Sequence, residues 1–422
     1  MRILMTIAAR AAALLLAAQA AMALPPVRGG VRDVRDAHVW LDAQPRGAGR
    51  EVMGVLLQPT LPVSTRFNDD IFASDAREVD DLIFAITPSL VARPRLERHE
   101  FVASVYSRTD FYADRSRQDN TEVGVALFGR VDVFDWFDIT LHGNYDDLRE
   151  DWDSPDTPLG AAEQVALDQL SGAVAGHLRA GRFTTDVEFT YREVNVDDVA
   201  ARGGGSIDMI GRHRDTVDIS FEFGWQFSDS LKPFVRYRWN DHGYDQAPPR
   251  VLVDRDGDGR AIVAGVDVTL PGQLDARLYG GHILQDFDDD DPNLEQADGI
   301  GYGAEIGWQA TPTTHLRFDA LREIEEASEG FESGRFATTV RLRATHRLSD
   351  GLALDAGFGH VRRNYVGTAR EADTWSGRLG ATWQLPMNLY TACSWRYTTR
   401  DSNVPGRSFT RHEALLELGW SP

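Results

Sequence analysis

From residue 52 to residue 420 the chain alternates apolar and polar positions with a period of two, in runs separated by turn-forming residues. The last runs are the clearest. Trp375, Gly377, Leu379, Ala381 and Trp383 form one face of a run whose other face is Thr374, Ser376, Arg378, Gly380, Thr382 and Gln384. Leu389, Cys393, Trp395 and Tyr397 then oppose Asn388, Ser394, Arg396, Thr398 and Arg400, and Ala414, Leu416, Leu418 and Trp420 oppose Arg411, Glu413 and Glu417. Earlier, Val217, Ile219, Phe221, Phe223, Trp225 and Phe227 oppose Asp218, Ser220, Glu222 and Gln226. Successive side chains of a strand point to opposite faces, so each run is a strand with one greasy side and one wet, charged side.

The pattern predicts strands ending near Phe67 and over 81–91, 100–111, 122–131, 137–146, 167–179, 183–195, 215–227 and 231–241, with the same rhythm continuing to Trp420. Tight turns at 132–135, 180–182, 228–230, 271–272, 311–313, 349–350 and 385–386 alternate with longer, mostly acidic connections, among them 68–79, 147–165, 243–259, 286–298, 325–334, 365–373 and 401–408. The count is about eighteen runs of roughly ten to fourteen residues, long enough to cross a bilayer as tilted strands. The predicted fold is therefore all-β: a transmembrane antiparallel up-and-down β-barrel of about eighteen strands, its first strand paired with its last because lipid offers the backbone no partner. An even count puts both termini on the side of the short turns, which in outer-membrane barrels is periplasmic. Trp136, Trp239, Trp308, Trp383, Trp395 and Trp420, near run ends, suit interfacial girdles. Such a barrel is wide enough for an aqueous channel unless its loops, the 147–165 connection first, fold inward.

Composition adds limits. Arg2 and Arg10 around an apolar run that closes in Ala21-Met22-Ala23 read as a secretory signal over 1–23. Residues 24–50 read as an irregular periplasmic leader, and 51–422 as the barrel. A net charge of −21 argues against nucleic acid as a partner. The mean hydropathy of −0.34 hides the barrel, because alternation dilutes a strand's membrane signal. Cys393 is the only cysteine, which excludes an intramolecular disulfide and a cysteine-rich metal site.

Several short motifs carry a resemblance. They are Asn68-Asp69-Asp70, Val79-Asp80-Asp81-Leu82-Ile83-Phe84 leading to Pro88, Arg214-Asp215 before an aromatic strand, Gly301-Tyr302-Gly303-Ala304-Glu305, Leu321-Arg322-Glu323, and Arg400-Asp401-Ser402-Asn403. Over residues 52–420 their order and spacing resemble the outer-membrane β-barrel porins encoded with exopolysaccharide and capsule export systems of Gram-negative bacteria. The resemblance implies an outer-membrane location among lipid and lipopolysaccharide and passive conduction of a polysaccharide; contact of the periplasmic leader with export components belongs to a docking barrel instead. The residues alone say a porin-like channel, which leaves a small-solute porin and a barrel plugged by its own loops as alternatives. One departure is that Ser421-Pro422 follow Trp420, where such barrels tend to end on an aromatic.

No catalytic motif emerges, so no enzyme activity is expected. His412-Glu413 lacks the second histidine of a zinc-protease helix, since Leu416 stands in its place. His282 and His360 fall on lipid-facing positions without a serine partner and read as interfacial histidines. Gly301, Gly303 and Gly307 share one face, which points to close packing or lumen space. Asp254, Asp256 and Asp258 have the D-x-D-x-D-G spacing that opens a calcium loop, and a bound Ca2+ is the one cofactor the chain suggests. The closing glutamate is replaced by Gly265, so a solvated acidic turn competes with that reading, as it does for Asp286 to Asp291. The wet faces hold the remaining candidates: Lys232, Arg236, Arg238, Arg341, Arg343, Arg378 and Arg396 with Glu188, Glu222, Glu305 and Glu413, all expected to line the lumen. Rings of Arg or Lys favour anions, yet opposite charges on neighbouring strands neutralise one another.

Overall fold

The computed structural model describes residues 47–245, 254–270, 273–288, 294–327 and 332–422. The predicted signal, the leader up to residue 46 and the 271–272 turn lie outside the described residues. Eighteen antiparallel strands close into one barrel. They are β1 (Val55–Asn68), β2 (Asp81–Ile86 and Ser89–Pro94), β3 (Glu100–Tyr112), β4 (Asn120–Phe134), β5 (Phe137–Arg149) and β6 (Ala166–Ala180). Next come β7 (Phe183–Val196), β8 (Arg214–Trp225), β9 (Leu231–Tyr244), β10 (Gly257–Leu270), β11 (Leu274–Gln285) and β12 (Ala297–Thr311). The wall is completed by β13 (Thr314–Glu325), β14 (Gly334–Ser349), β15 (Leu352–Val366), β16 (Glu371–Leu385), β17 (Leu389–Ser402) and β18 (Phe409–Trp420).

Closure is made by β1 and β18, in register from Leu61 opposite Trp420 to Asn68 opposite Glu413. Ser421 and Pro422 are part of the seam. The Ser421 amide donates to the Asn388 carbonyl at 2.8 Å, and the Gly49 amide donates to the Pro422 carbonyl at 2.8 Å. The predicted second strand is interrupted rather than continuous, and the reason is covalent. Pro62 on β1 and Pro88 between the halves of β2 both lack an N–H, so the ladder skips there and resumes with Thr60 opposite Ser89. The Thr87 amide still donates to the Pro62 carbonyl at 3.0 Å.

The alternation predicts the faces. Leu379 is 58% exposed on the lipid side, while the Arg378 side chain beside it, turned to the lumen, is 11% exposed. Trp136, Trp308, Trp383 and Trp420 stand at the short-turn edge as a girdle, next to Phe134, Phe183 and Phe227. Trp395 departs from the prediction. It sits midway along β17, stacked on His412 with ring centroids 5.8 Å apart, because the β18 register brings His412 within reach of it.

The long loops do not simply project outward. Ile71 and Phe72 of the 69–80 loop, Trp152, Ala161 and Val165 of the 150–165 loop, and Val199 and Met209 of the 197–213 loop form one buried apolar cluster. They rest on the lumen-side residues Tyr112, Leu148, Val194 and Val196. Phe72 and Trp152 meet edge to face at 5.0 Å, and the Arg77 guanidinium lies 3.7 Å over the Phe72 ring. Burying these side chains removes apolar area from water that projecting loops would leave exposed, which favours the inward fold. The 365–373 connection is much shorter than predicted, since β15 and β16 extend to Val366 and Glu371.

Candidate functional site in the lumen

The predicted lumen residues lie on inward faces, and cross-strand pairing accounts for most of their charge. Glu222 on β8 accepts from Arg236 on β9 at 2.6 Å and also from Arg277 on β11. Arg238 meets Asp218 at 2.6 Å, and Lys232 meets Asp267 at 2.9 Å. Arg378 meets Asp355 at 3.4 Å, and Arg396 lies 3.7 Å from Glu413. Arg341 and Arg343 stand opposite Asp319 and Arg317 on β13, and Glu188 stands opposite Ser220 on β8. Glu305, with Lys232, Asp267, Arg277 and Arg317, lines a polar cavity of about 530 Å³ at the short-turn end of β7 to β13. Neighbouring charges neutralise one another along much of this wall, as cross-strand partners do.

The glycine face of β12 makes room for an aromatic ring. A Cβ at Gly303 would stand 2.2 Å from the Tyr279 ring, so only glycine lets that ring lie against the wall. Arg277 covers Phe234 at 4.1 Å, giving the wall near the short turns an aromatic and guanidinium surface.

The three aspartates of the calcium spacing lie at and just before the start of β10. Asp258 already belongs to β10, opposite Asp241, and pairs with Arg260 at 2.9 Å. Asp256 accepts the Tyr244 amide at 2.6 Å. Among the described residues no three His, Cys, Asp or Glu side chains are grouped as metal ligands. The strand that begins at Gly257 includes Asp258, while Asp254 and Asp256 precede it. His282 and His360 are held on the outer face by Asp298 at 2.7 Å and Asp373 at 2.9 Å, and His360 stacks on Trp375.

The dominant feature of the lumen is the 150–165 loop, which connects β5 to β6. At its neck Glu150 is fully buried and accepts from Arg212 at 2.8 and 3.1 Å, Ser154 Oγ at 3.0 Å and Thr157 Oγ1 at 3.1 Å. At its tip, Asp156 receives a two-pronged contact from Arg335 of β14 at 2.9 and 3.1 Å. Asp153 pairs with Arg411 of β18 at 2.5 Å. β5 and β14 are nine strands apart in a ring of eighteen, hence diametrically opposite. Arg212 donates to the Asp156 carbonyl at 3.3 Å as well as to Glu150, so the neck and tip of the loop lie together and join the β7–β8 connection to Arg335 of β14. Of the residues in this bridge, Arg400 and Arg411 fall on wet strand faces in the alternation. The alternation left Glu150, Asp153, Asp156, Arg212, Arg370 and Arg407 without a role, although the acidic, Pro-containing stretch Asp151-Trp152-Asp153-Ser154-Pro155-Asp156 was a visible signal.

The 69–80 loop packed over this bridge carries a pH-sensitive group. Asp70 is 1% exposed, and its Oδ2 accepts the Ser74 amide at 2.9 Å. Burial pushes its carboxyl up from the ordinary 3.8 to about 6, against the Ser74 and Phe72 amides and the Arg411 charge, with Glu78 adding to the rise. The packed loop thus holds the proton more tightly than an unpacked one, and its stability grows as pH falls from about 6 toward 3.8. Open probability in planar bilayers is expected to drop between pH 7.5 and 4.5 in the wild type. An Asp70→Asn channel should show a flatter response, and an equally steep one would remove Asp70 as the cause.

No curated protein matches the chain. Among solved structures it is similar to OpdQ of Pseudomonas aeruginosa, at 13% identity over 88% of this chain and 99% of that one, with a TM-score of 0.47. It is also similar to OpdO of the same organism (13%, 87% and 97%, TM-score 0.45) and to OpdK crystallised with vanillate (10%, 87% and 99%, TM-score 0.43). These likenesses are distant and identify no substrate. The family described as Putative beta-barrel porin 2 matches residues 45–420, the whole barrel with its bridging loop, and the chain belongs to that family.

Proposed function

We propose that this outer-membrane porin conducts small hydrophilic solutes passively. The observation that carries the reading is the 150–165 loop, which folds inside the ring with Asp156 held between Arg212 and Arg335 of β14. A bore narrowed by a polar loop passes solutes of small-molecule width and obstructs a polymer chain. Inward-facing charges offer hydrogen-bonding groups to hydrated solutes. Polysaccharide export rests on the family resemblance alone and requires the loop to leave the lumen.

Liposome swelling with the refolded protein and neutral sugars of increasing length tests the reading. Monosaccharides and disaccharides are expected to enter, with a steep loss of rate for longer chains. Free passage of long dextrans would favour the polymer channel. Absence of both swelling and single-channel current, from protein verified as folded, would favour a plugged barrel.

A further inference from the structure

Five arginines from separate parts of the far wall converge on five residues of the bridging loop, Asp153 to Thr157. Arg411 pairs with the Asp153 carboxylate, and Arg400 of β17 donates to the Asp153 carbonyl. Arg370, between β15 and β16, donates to the Pro155 carbonyl at 3.0 Å, and Arg407, between β17 and β18, donates to the Pro155 and Thr157 carbonyls at 3.2 and 3.3 Å. Arg335 grips the Asp156 carboxylate with both prongs of its guanidinium. Arg335, Arg400, Arg407 and Arg411 are each under a tenth exposed.

Wall carboxylates hold some of these guanidiniums as well. Glu325 serves Arg335 at 2.8 Å and Arg363 at 3.0 Å, and Glu332 serves Arg370 at 3.0 Å. Glu413 lies near Arg66, Arg396 and Arg411 together. If the loop moved away, the wall would lose the two carboxylates and three carbonyl oxygens that now face its guanidiniums. Guanidinium groups bind carboxylates in a two-pronged geometry. A solute bearing several carboxylates presents the same acceptors as the loop and competes with it for these guanidiniums.

We propose that Asp153–Thr157 is a tethered stand-in for the permeating ligand. The segment occupies a binding site, formed by Arg335, Arg370, Arg400, Arg407 and Arg411, for hydroxylated solutes with two or more carboxylates. Such a solute competes with the loop for the arginines and thereby favours the conformation in which it passes. Asp153 and Asp156 are three residues apart, so a ligand reaching both of their partners needs carboxylates up to roughly 10 Å apart. Small polycarboxylates and short oligouronates share the required chemistry and differ in that reach. The inference rests on the small-solute reading for its transport consequence, whereas the binding site itself is tested without transport.

The experiment is calorimetric titration of the refolded full-length protein with citrate, with trigalacturonate and with neutral maltotriose. It compares the wild type with Asp153→Asn/Asp156→Asn, which keeps the side-chain shape and removes the competing charge. Apparent affinity falls with the fraction of protein whose site is free, so weakening the tethered competitor must raise it. Binding of a carboxylate ligand that tightens at least fivefold in the double variant, with none for maltotriose, is the expected result. A preference for trigalacturonate assigns the site to oligouronates, and a preference for citrate assigns it to small polycarboxylates. Arg335→Gln/Arg411→Gln, checked for folding by heat-dependent gel mobility, should abolish binding. Affinity unchanged or weakened in the Asn variant, or no carboxylate binding in either protein, overturns the proposal. A protein that binds as expected but passes no solute overturns only the channel reading.

Discussion

Replacing Arg212 by alanine should release the bridging loop at its neck and raise single-channel conductance several-fold. Glu150 is fully buried, and Arg212 is its cationic partner through two hydrogen bonds. Removing one partner of a buried ion pair strands the other charge, at a cost of about 3–5 kcal/mol. Ser154 and Thr157 hydroxyls would remain as acceptor-facing donors, but they bring no compensating charge. Since both belong to the loop itself, the loop is the element that gives way. Chymotrypsin, which cuts beside aromatic residues, should then nick the folded variant near Trp152 while leaving the wild type whole. Arg212→Lys keeps the charge without the planar fork and should fall between the two. Identical nicking and identical conductance in the alanine variant and the wild type would mean that the neck contact does not hold the loop.

Moving a charge by a single position along β16 should have an effect of similar size on folding. Arg378 faces the lumen beside Asp355, while Leu379 faces lipid midway along the strand. Arginine on the lipid face near the bilayer midplane costs about 2–4 kcal/mol, whereas the same residue on the watery face is ordinary. Leu379→Arg should lower the urea midpoint for folding into lipid bilayers accordingly. Arg378→Lys, which leaves a cation on the inner face, should shift it little. A Leu379→Arg protein as stable as the wild type would contradict the assigned faces, because side-chain direction reverses at every residue of a strand.

The fold was legible because its main signal is local. Side chains alternate along every strand, so apolar and polar residues in alternation mark the strand, its two faces and, through the turns between runs, the number of strands. Closure of β1 on β18 then follows from the absence of any other partner for backbone groups in lipid. The inward direction of Glu222, Glu305, Arg236 and Arg378 was readable for the same reason. Where local covalent chemistry broke the pattern, as at Pro62 and Pro88, the sequence contained the cause although the alternation of faces continues through it.

The bridge across the lumen was decided elsewhere. Asp153 finds Arg411 across 258 residues, and Asp156 finds Arg335 across 179. An acidic loop with tryptophan and prolines has the same composition whether it projects into solvent or turns inward. Only the closed ring places β14 and β18 where those arginines can receive it. Of the aspartates at 254, 256 and 258, only Asp258 falls in β10, where it pairs with Arg260, a placement their spacing does not show. The sequence by itself determined the barrel, its faces and its lumen chemistry, since these depend on neighbours along the chain. Tertiary structure alone decided that the lumen is bridged, and by which charges, because those contacts join residues that become neighbours only when the ring closes.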